Sequence, residues 1–262
     1  MIDHDGTKER NLVNLTENDL DAPVSRIYAI DRFEALLATQ LDSLPNPSKW
    51  PDKFENFFLS RTEVIDDVSG SAIPLTNLAE DWYGQCWSLH DETDAMWRIY
   101  SPDPIAKTGV KVRSTIRRLF DNLKRAATPG LALYLQCFVG RIRYMSEEQI
   151  LSLMSGMTFN DGVMGGQGDR LAALLCIKRD AFSHENEVRL MFHDINPGNK
   201  RGASGLFALH ADPHVLFDEI VLDPRLDDFT VTGMKTRLAA AGNRLPVRRS
   251  DLYQTPRFTI SF

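Results

Sequence analysis

The run from Glu185 to His193 alternates without a break. Val188, Leu190 and Phe192 fall on one side, and Glu185, Glu187, Arg189 and Met191 on the other. Only an extended chain brings residues two apart onto the same face, so the run predicts a strand with two carboxylates and a guanidinium projecting together. The stretch from Cys86 to Tyr100 makes the opposite kind of statement, because its period changes midway. An apolar strand end at Gln85 to Trp87 enters a turn at Ser88 to Asp91, and a helix follows with Met96, Trp97 and Tyr100 on one side. A chain that switches repeatedly between period 2 and helical spacing is confined to the mixed classes. We expect an α+β fold, a twisted mixed or antiparallel split sheet flanked by helices, in a single domain over residues 24–262.

Residues 1–23 are polar and aperiodic and read as a mobile arm. Beyond it, Arg26 to Ile30 predicts a strand, and Asp31 with Glu34 predicts a capping box for a helix whose buried face is Phe33, Leu36, Leu37 and Leu41, ended by Pro45 and Pro47. Trp50 to Asn56 reads as a turn and Glu63 to Pro74 as loop. Gly109 to Arg113 predicts a strand, and Ser114 opens a helix with Ile116, Leu119, Phe120 and Leu123 inward. Leu131 to Tyr144 predicts strand bent at Gly140, and Ser146 with Gln149 a second capping box before a helix burying Ile150, Leu151 and Met154. Asn160 to Gly168 reads as a glycine-rich loop. Later strands are predicted at Leu206 to Leu209, Glu219 to Leu222, Pro246 to Arg249 and Phe258 to Phe262, with a helix from Asp228 to Ala241 closed by Gly242.

The 262 residues carry a net charge of -6, so the chain as a whole lacks the basic footprint that draws a protein to nucleic acid or to an anionic membrane. Arg113, Arg117, Arg118, Lys124 and Arg125 form one local basic group, read here as a solvated helix face. Cys86, Cys137 and Cys176 are odd in number, far apart and in apolar surroundings, which suits a reducing compartment. No segment approaches the roughly 18 apolar residues of a membrane span, and a soluble cytoplasmic protein is expected. His184-Glu185 opens like a zinc-protease helix but Val188 stands where the second His is needed. The glycines at 162, 165, 166 and 168 lack the Gly-Lys-Ser/Thr of a phosphate loop.

Four pieces occur in the order of a bacterial family known only as domain of unknown function 2971. They are Ile27-Tyr28, the Trp50-x-Asp52-x-Phe54-Glu55 turn, the stretch from Cys86-Trp87-Ser88 to Met96-Trp97-x-x-Tyr100 with Gly109-Val110, and Glu185-x-Glu187-x-Arg189. The chain resembles that family over about residues 26–225, with two departures: Lys53 stands where its turn usually has Pro, and Ala29 follows the first Tyr. More distantly, the order Arg26 or Tyr28, then Ser88, then Glu187 resembles the ADP-ribosyltransferase fold, with Glu185-x-Glu187 similar to the paired acidic motif of its arginine-modifying branch.

That second resemblance implies NAD as substrate. Cleaving nicotinamide from NAD develops an oxocarbenium-like ribose, which Glu187 would stabilise, while Glu185 orients or deprotonates an acceptor. Arg26 or Arg189 would take a phosphate or hold Glu187 ionised, Tyr28, Trp97 or Tyr100 would stack on the nicotinamide, and Ser88 would anchor ribose or the first strand. The acceptor is left open between protein, nucleic acid and water. Two rivals stand beside this. A metal-dependent nuclease would gather Asp52, Glu55, Glu185 and Glu187 within reach of one ion. A non-catalytic module of bacterial defence or toxin neutralisation would use the aromatic stretch only as core.

Overall fold

Most elements lie where the periodicity predicts them, and the departures have local causes. The computed structural model describes residues 11–50, 52, 55, 63–65, 72–74, 80–106, 108–127, 136–155, 168–194, 205–256 and 258–260. In chain order the strands are β1 Leu12–Val13, β2 Pro23–Ala29, β3 Leu41–Pro45, β4 Glu63–Ile65, β5 Ala72–Pro74, β6 Trp82–Ser88 and β7 Gly109–Thr115. They continue with β8 Cys137–Arg141, β9 Arg143–Met145, β10 Ile177–Arg179, β11 Glu187–His193, β12 Leu206–His210, β13 Ile220–Leu222 and β14 Val247–Arg249. The helices are α1 Ile30–Thr39, α2 Asp94–Tyr100, α3 Ile116–Ala127, α4 Glu147–Ser155, α5 Asp169–Leu174, α6 Pro213–Leu216 and α7 Asp228–Ala240. Mixed sheet flanked by helices is the architecture the sequence predicts.

The chain divides into two compact units, the first made of Met1–Val24, Leu41–Leu89 and Thr115–Ala211, the second of Ser25–Gln40, His90–Ser114 and Asp212–Phe262. In the first, strands run in the order β1-β8-β11-β6. Strand β1 is parallel to β8, and β11 is antiparallel to both β8 and β6. Three two-stranded pairs accompany them: β9 with β10 in parallel, β3 with β12 and β4 with β5 antiparallel. Trp50, Trp82, Phe138, Leu175 and Met191 close one face of this sheet into a core. In the second unit the order is β2-β7-β13-β14, with β13 antiparallel to β7 and parallel to β14.

Helix α3 shows why spacing works as a predictor, since Ile116, Leu119, Phe120 and Leu123 are all buried. The capping box at Ser146 forms as expected: its N–H donates to Gln149 Oε1 at 2.9 Å and its Oγ accepts from Gln149 N–H at 3.2 Å. The box expected at Asp31 does not form. Strand β2 runs straight into α1, Ile30 N–H donates to Thr108 O, and Asp31 and Glu34 instead pair with Arg237 of α7 at 2.9 and 2.5 Å. Helix α1 also stops earlier, at Thr39, with Gln40 left-handed, so Leu41 is exposed on β3 rather than buried on the helix.

Residues 12–13 are a strand, not part of a mobile arm, because Asn11 donates a side-chain hydrogen bond to Cys137 O and pins them beside β8. Residues 1–10 lie outside the described residues, as do most of the glycine-rich loop and residues 131–135 at the start of the Leu131 to Tyr144 run. Glu63 to Pro74 holds the β4 and β5 pair where loop was expected. The break between β8 and β9 falls at Ile142, not Gly140. Leu151 points to solvent from α4, and Phe258 and Ile260 are exposed without forming the strand their alternation predicts. Within the basic group, Arg117 pairs with Glu17 and Asp21, and Lys124 with Asp121. Among the described residues no helix is long and apolar enough to cross a membrane.

Gly140 keeps a role of a different kind. A Cβ there would overlap the Cys176 sulfur and lie 2.9 Å from Val13 Cβ. Gly140→Ala is expected to cost about 1–3 kcal/mol by overpacking, read as a lower urea midpoint. An unchanged midpoint would mean that β1 and the turn carrying Cys176 move aside freely.

Candidate active site

Strand β11 begins at Glu187, two residues later than the alternation from Glu185 suggests. Residues Asp180–Glu185 form a 3-10 turn, Asn186 takes a left-handed conformation with φ 41°, and only then does the strand start. Glu185 therefore does not share a strand face with Glu187. The turn brings it back by another route, with Ser88 Oγ donating to Glu185 O at 2.7 Å from the end of the neighbouring strand β6.

Five charges meet here. Arg189 donates from Nε to Glu187 Oε1 at 3.0 Å and from Nη2 to Glu187 Oε1 at 2.8 Å and Glu55 Oε2 at 2.6 Å. Its Nη1 donates to Leu175 O, and its guanidinium lies 4.1 Å from the Trp50 ring centre. Lys178 reaches in from β10, its Nζ 2.9 Å from Glu55 Oε1, 3.2 Å from Glu187 Oε2 and in contact with Glu185 Oε2. Arg189 is 0 % exposed and Glu187 3 %. Glu185 is the open member, its side chain 16 % exposed.

Charges this deeply placed persist only when each has its partners, since an unpaired buried ion is costly. The set counts three carboxylates against two cations, and the surplus shows in their proton affinities. Burial pushes Glu187 up, but Arg189 and Lys178 outweigh it and hold the carboxyl down at about 2. Burial raises Glu185, Lys178 opposes it, and the neighbouring Glu187 and Glu55 add to the rise. Burial alone would lower the Lys178 ammonium, yet Glu187, Glu55 and Glu185 raise it. Tyr144, in register with Lys178 across the β9 and β10 pair, accepts from Glu187 N–H at 3.0 Å, and burial pushes its phenol up to about 12.

The carboxylates proposed for a nuclease do not gather as that reading requires. Glu55, Glu185 and Glu187 converge on an ammonium, while Asp52 pairs with Arg179 at 3.0 Å. Among the described residues no group of His, Cys, Asp and Glu is placed to hold a metal ion.

Ser88 and Arg189 thus lie with Glu185 and Glu187 in the first unit. The other expected cofactor contacts belong to the second. Arg26 lies 4.7 Å above the Tyr28 ring, and Tyr28 is buried against Phe33 and Phe217. Trp97 is 0 % exposed among Ile27, Met96 and Val221, and its Nε1 donates to Glu92 Oε1 at 2.6 Å. That corrects its stacking role, because no ring face is open. Tyr100, expected on the buried side of α2, is 46 % exposed. Lys178 and Tyr144 went unread in the sequence. The only signal for Lys178 is a lone cation closing the apolar run Leu174-Leu175-Cys176-Ile177.

No family model matches the chain, and no curated protein matches it. The resemblance to the family of unknown function therefore stays an expectation of the sequence. Three solved structures that the chain is similar to hold NAD+, carba-NAD+ or ADP-ribosylated single-stranded DNA. All three are of Thermus sp. 2.9 DarT. The NAD+ complex is 12% identical with a TM-score of 0.37, over 88% of this chain and 96% of that one. The ADP-ribosylated DNA complex is 13% identical at TM-score 0.38, over 88% and 94%, and the carba-NAD+ complex 13% at 0.36, over 90% and 96%.

Proposed function

We propose that the chain is an NAD-using enzyme of the ADP-ribosyltransferase or NAD-glycohydrolase kind. The observation that carries the reading is the convergence of two carboxylates in unlike settings, Glu187 buried between Arg189 and Lys178 and Glu185 part-open on the same ammonium, which hold the first carboxyl down and leave the second raised. Pairs whose environments drive their proton affinities apart are how one site supplies both a permanent charge and a base. Glu187, locked by Arg189 and Lys178, is the fixed anion beside which a ribose oxocarbenium is stabilised. Glu185, open and readier to take a proton, faces the acceptor as general base. Glu55 and Arg189 hold Glu187 in place, and Ser88 holds the turn that carries Glu185. The acceptor is a protein, a nucleic acid or water.

The test is thermal unfolding with and without millimolar NAD on the wild type and on Glu187→Gln, with NAD loss followed in the same samples. At ~100 times the dissociation constant, NAD should add about 2.7 kcal/mol of stability, and turnover should vanish in the variant. No shift and no turnover in the wild type would sink the proposal. That outcome would favour a non-catalytic binding module, for which one observation already speaks: every nitrogen of the Arg189 guanidinium and Oε1 of Glu187 are occupied within the chain, with almost nothing exposed.

A further inference from the structure

The alternation at residues 258–262 predicts a strand that the structure leaves unbuilt, and the second unit ends in a sheet edge that no described strand pairs with. The edge is β14, last in the order β2-β7-β13-β14. Two bonds fix how it faces: Ile220 N–H donates to Pro246 O at 2.9 Å, and Ser250 N–H donates to Leu222 O at 2.9 Å. Residues 246, 248 and 250 therefore face β13, and Val247 and Arg249 turn their N–H and C=O outward, because an extended backbone alternates sides. Such a row of open groups is a template for another strand. Large apolar side chains stand near both its ends. His214 accepts from Arg244 N–H just ahead of β14 and is followed in the chain by exposed Val215. Asp228 holds Arg249 at 2.8 Å and is followed by exposed Phe229.

The tail supplies what such an edge takes. Phe258 is 83% exposed and Ile260 79%, with Thr259 between them, the spacing of a strand with one apolar face. Pairing within the chain would need residues 250–257 to double back along β14. They are turned instead at Asp251, whose C=O accepts from Gln254 N–H, and tied to α2 by Tyr253, whose hydroxyl donates to Asp94 Oδ1. We infer that two copies of the chain exchange tails, the segment carrying Phe258 and Ile260 in each copy pairing with β14 of the other. The occupant is a second copy because one chain carries both halves of the missing pair. Each copy gives one strand and takes one, so the exchange is self-complementary and closes at two, whereas an unlike partner would satisfy one half and leave the other open. Burial of Phe258 and Ile260 drives the exchange, and the outward N–H and C=O of Val247 and Arg249 set its register. The inference is independent of the NAD reading.

The experiment is sedimentation equilibrium of the full chain. The wild type should be a reversible dimer with a dissociation constant on the order of 10 µM, the strength of a small interface. The double variant Phe258→Asp, Ile260→Asp alters only exposed side chains, so it should weaken the dimer about tenfold or more while melting at the temperature of the dilute wild type. Val247→Pro deletes one outward N–H that makes no bond to β13, and should weaken the dimer in the same way. Should that variant not fold, a synthetic peptide of residues 255–262 added in excess to the wild type takes its place, and it should convert dimer to peptide-bound monomer. A wild type that stays monomeric up to about ten times the expected dissociation constant overturns the inference and leaves the edge to an unlike partner. A dimer of full strength in the tail variant overturns it, as does one untouched by Val247→Pro or by the peptide.

Discussion

Arg189→Met is expected to destabilise the protein by about 3–5 kcal/mol, the usual cost of stripping a buried ion pair of one partner. Methionine fills most of the volume, so cavity formation contributes little. What remains is electrostatic: Glu187 and Glu55 lose one of the two cations they share and keep Lys178, and Leu175 O loses the donor that Nη1 supplies. The cause can be separated from the size by pairing the change with Glu187→Gln. If the penalty is an orphaned charge, the double variant should recover a large part of the loss, a coupling that urea titrations of the four proteins measure. A single-variant loss below about 1 kcal/mol would show that water reaches Glu187 far more freely than its 3 % exposure suggests.

Lys178→Met should cost about 3 kcal/mol at neutral pH, and its penalty should shrink as the solution is acidified. The signs follow from the carboxylates. In the wild type Glu187 is held at about 2, below its ordinary 4.5, so its contribution to stability is present above about 4.5 and is lost as pH falls toward 2. Without the ammonium, Glu185 loses the cation that lowers it and is raised further by burial and by Glu187 and Glu55. A carboxyl raised in the folded state stabilises below its unfolded value and loses that stability as pH rises through its folded one. Between pH 7 and about 4.5 the Glu187 contribution is unchanged, whereas the variant regains stability as its raised Glu185 takes up a proton, so the gap between their melting temperatures should be widest near pH 7 and narrow toward pH 4.5. A gap independent of pH would mean that Lys178 acts through packing of its stem against Phe182 alone, whose ring centre lies 5.0 Å from the ammonium.

Much of the framework was legible because it depends on spacing. Helix α3, strand β11 and the Ser146 capping box are set by residues within a few positions of one another. The errors share a cause in distance. Asp31 and Glu34 form a credible local cap, yet the chain gives them to Arg237, more than two hundred residues away. The two acidic residues of the site were read from alternation, which found Glu187 and Arg189 on one face correctly and misplaced Glu185 by ignoring the left-handed Asn186. Lys178 was invisible because a single Lys after an apolar run is ordinary in composition; only the meeting of β10 with β11 gives it three carboxylates.

The bond between Glu55 and Arg189 joins residues 134 apart. During synthesis Glu55 leaves the ribosome on the order of ten seconds before its partner exists, at ordinary elongation rates. The first unit, drawn from three separate stretches of chain that end at Ala211, cannot complete its core in that interval. Contacts of such long range carry a heavy loop-closure entropy and slow the search for the native state. During synthesis the early segment therefore waits with its acid solvated until the chain that carries Lys178 and Arg189 has been made.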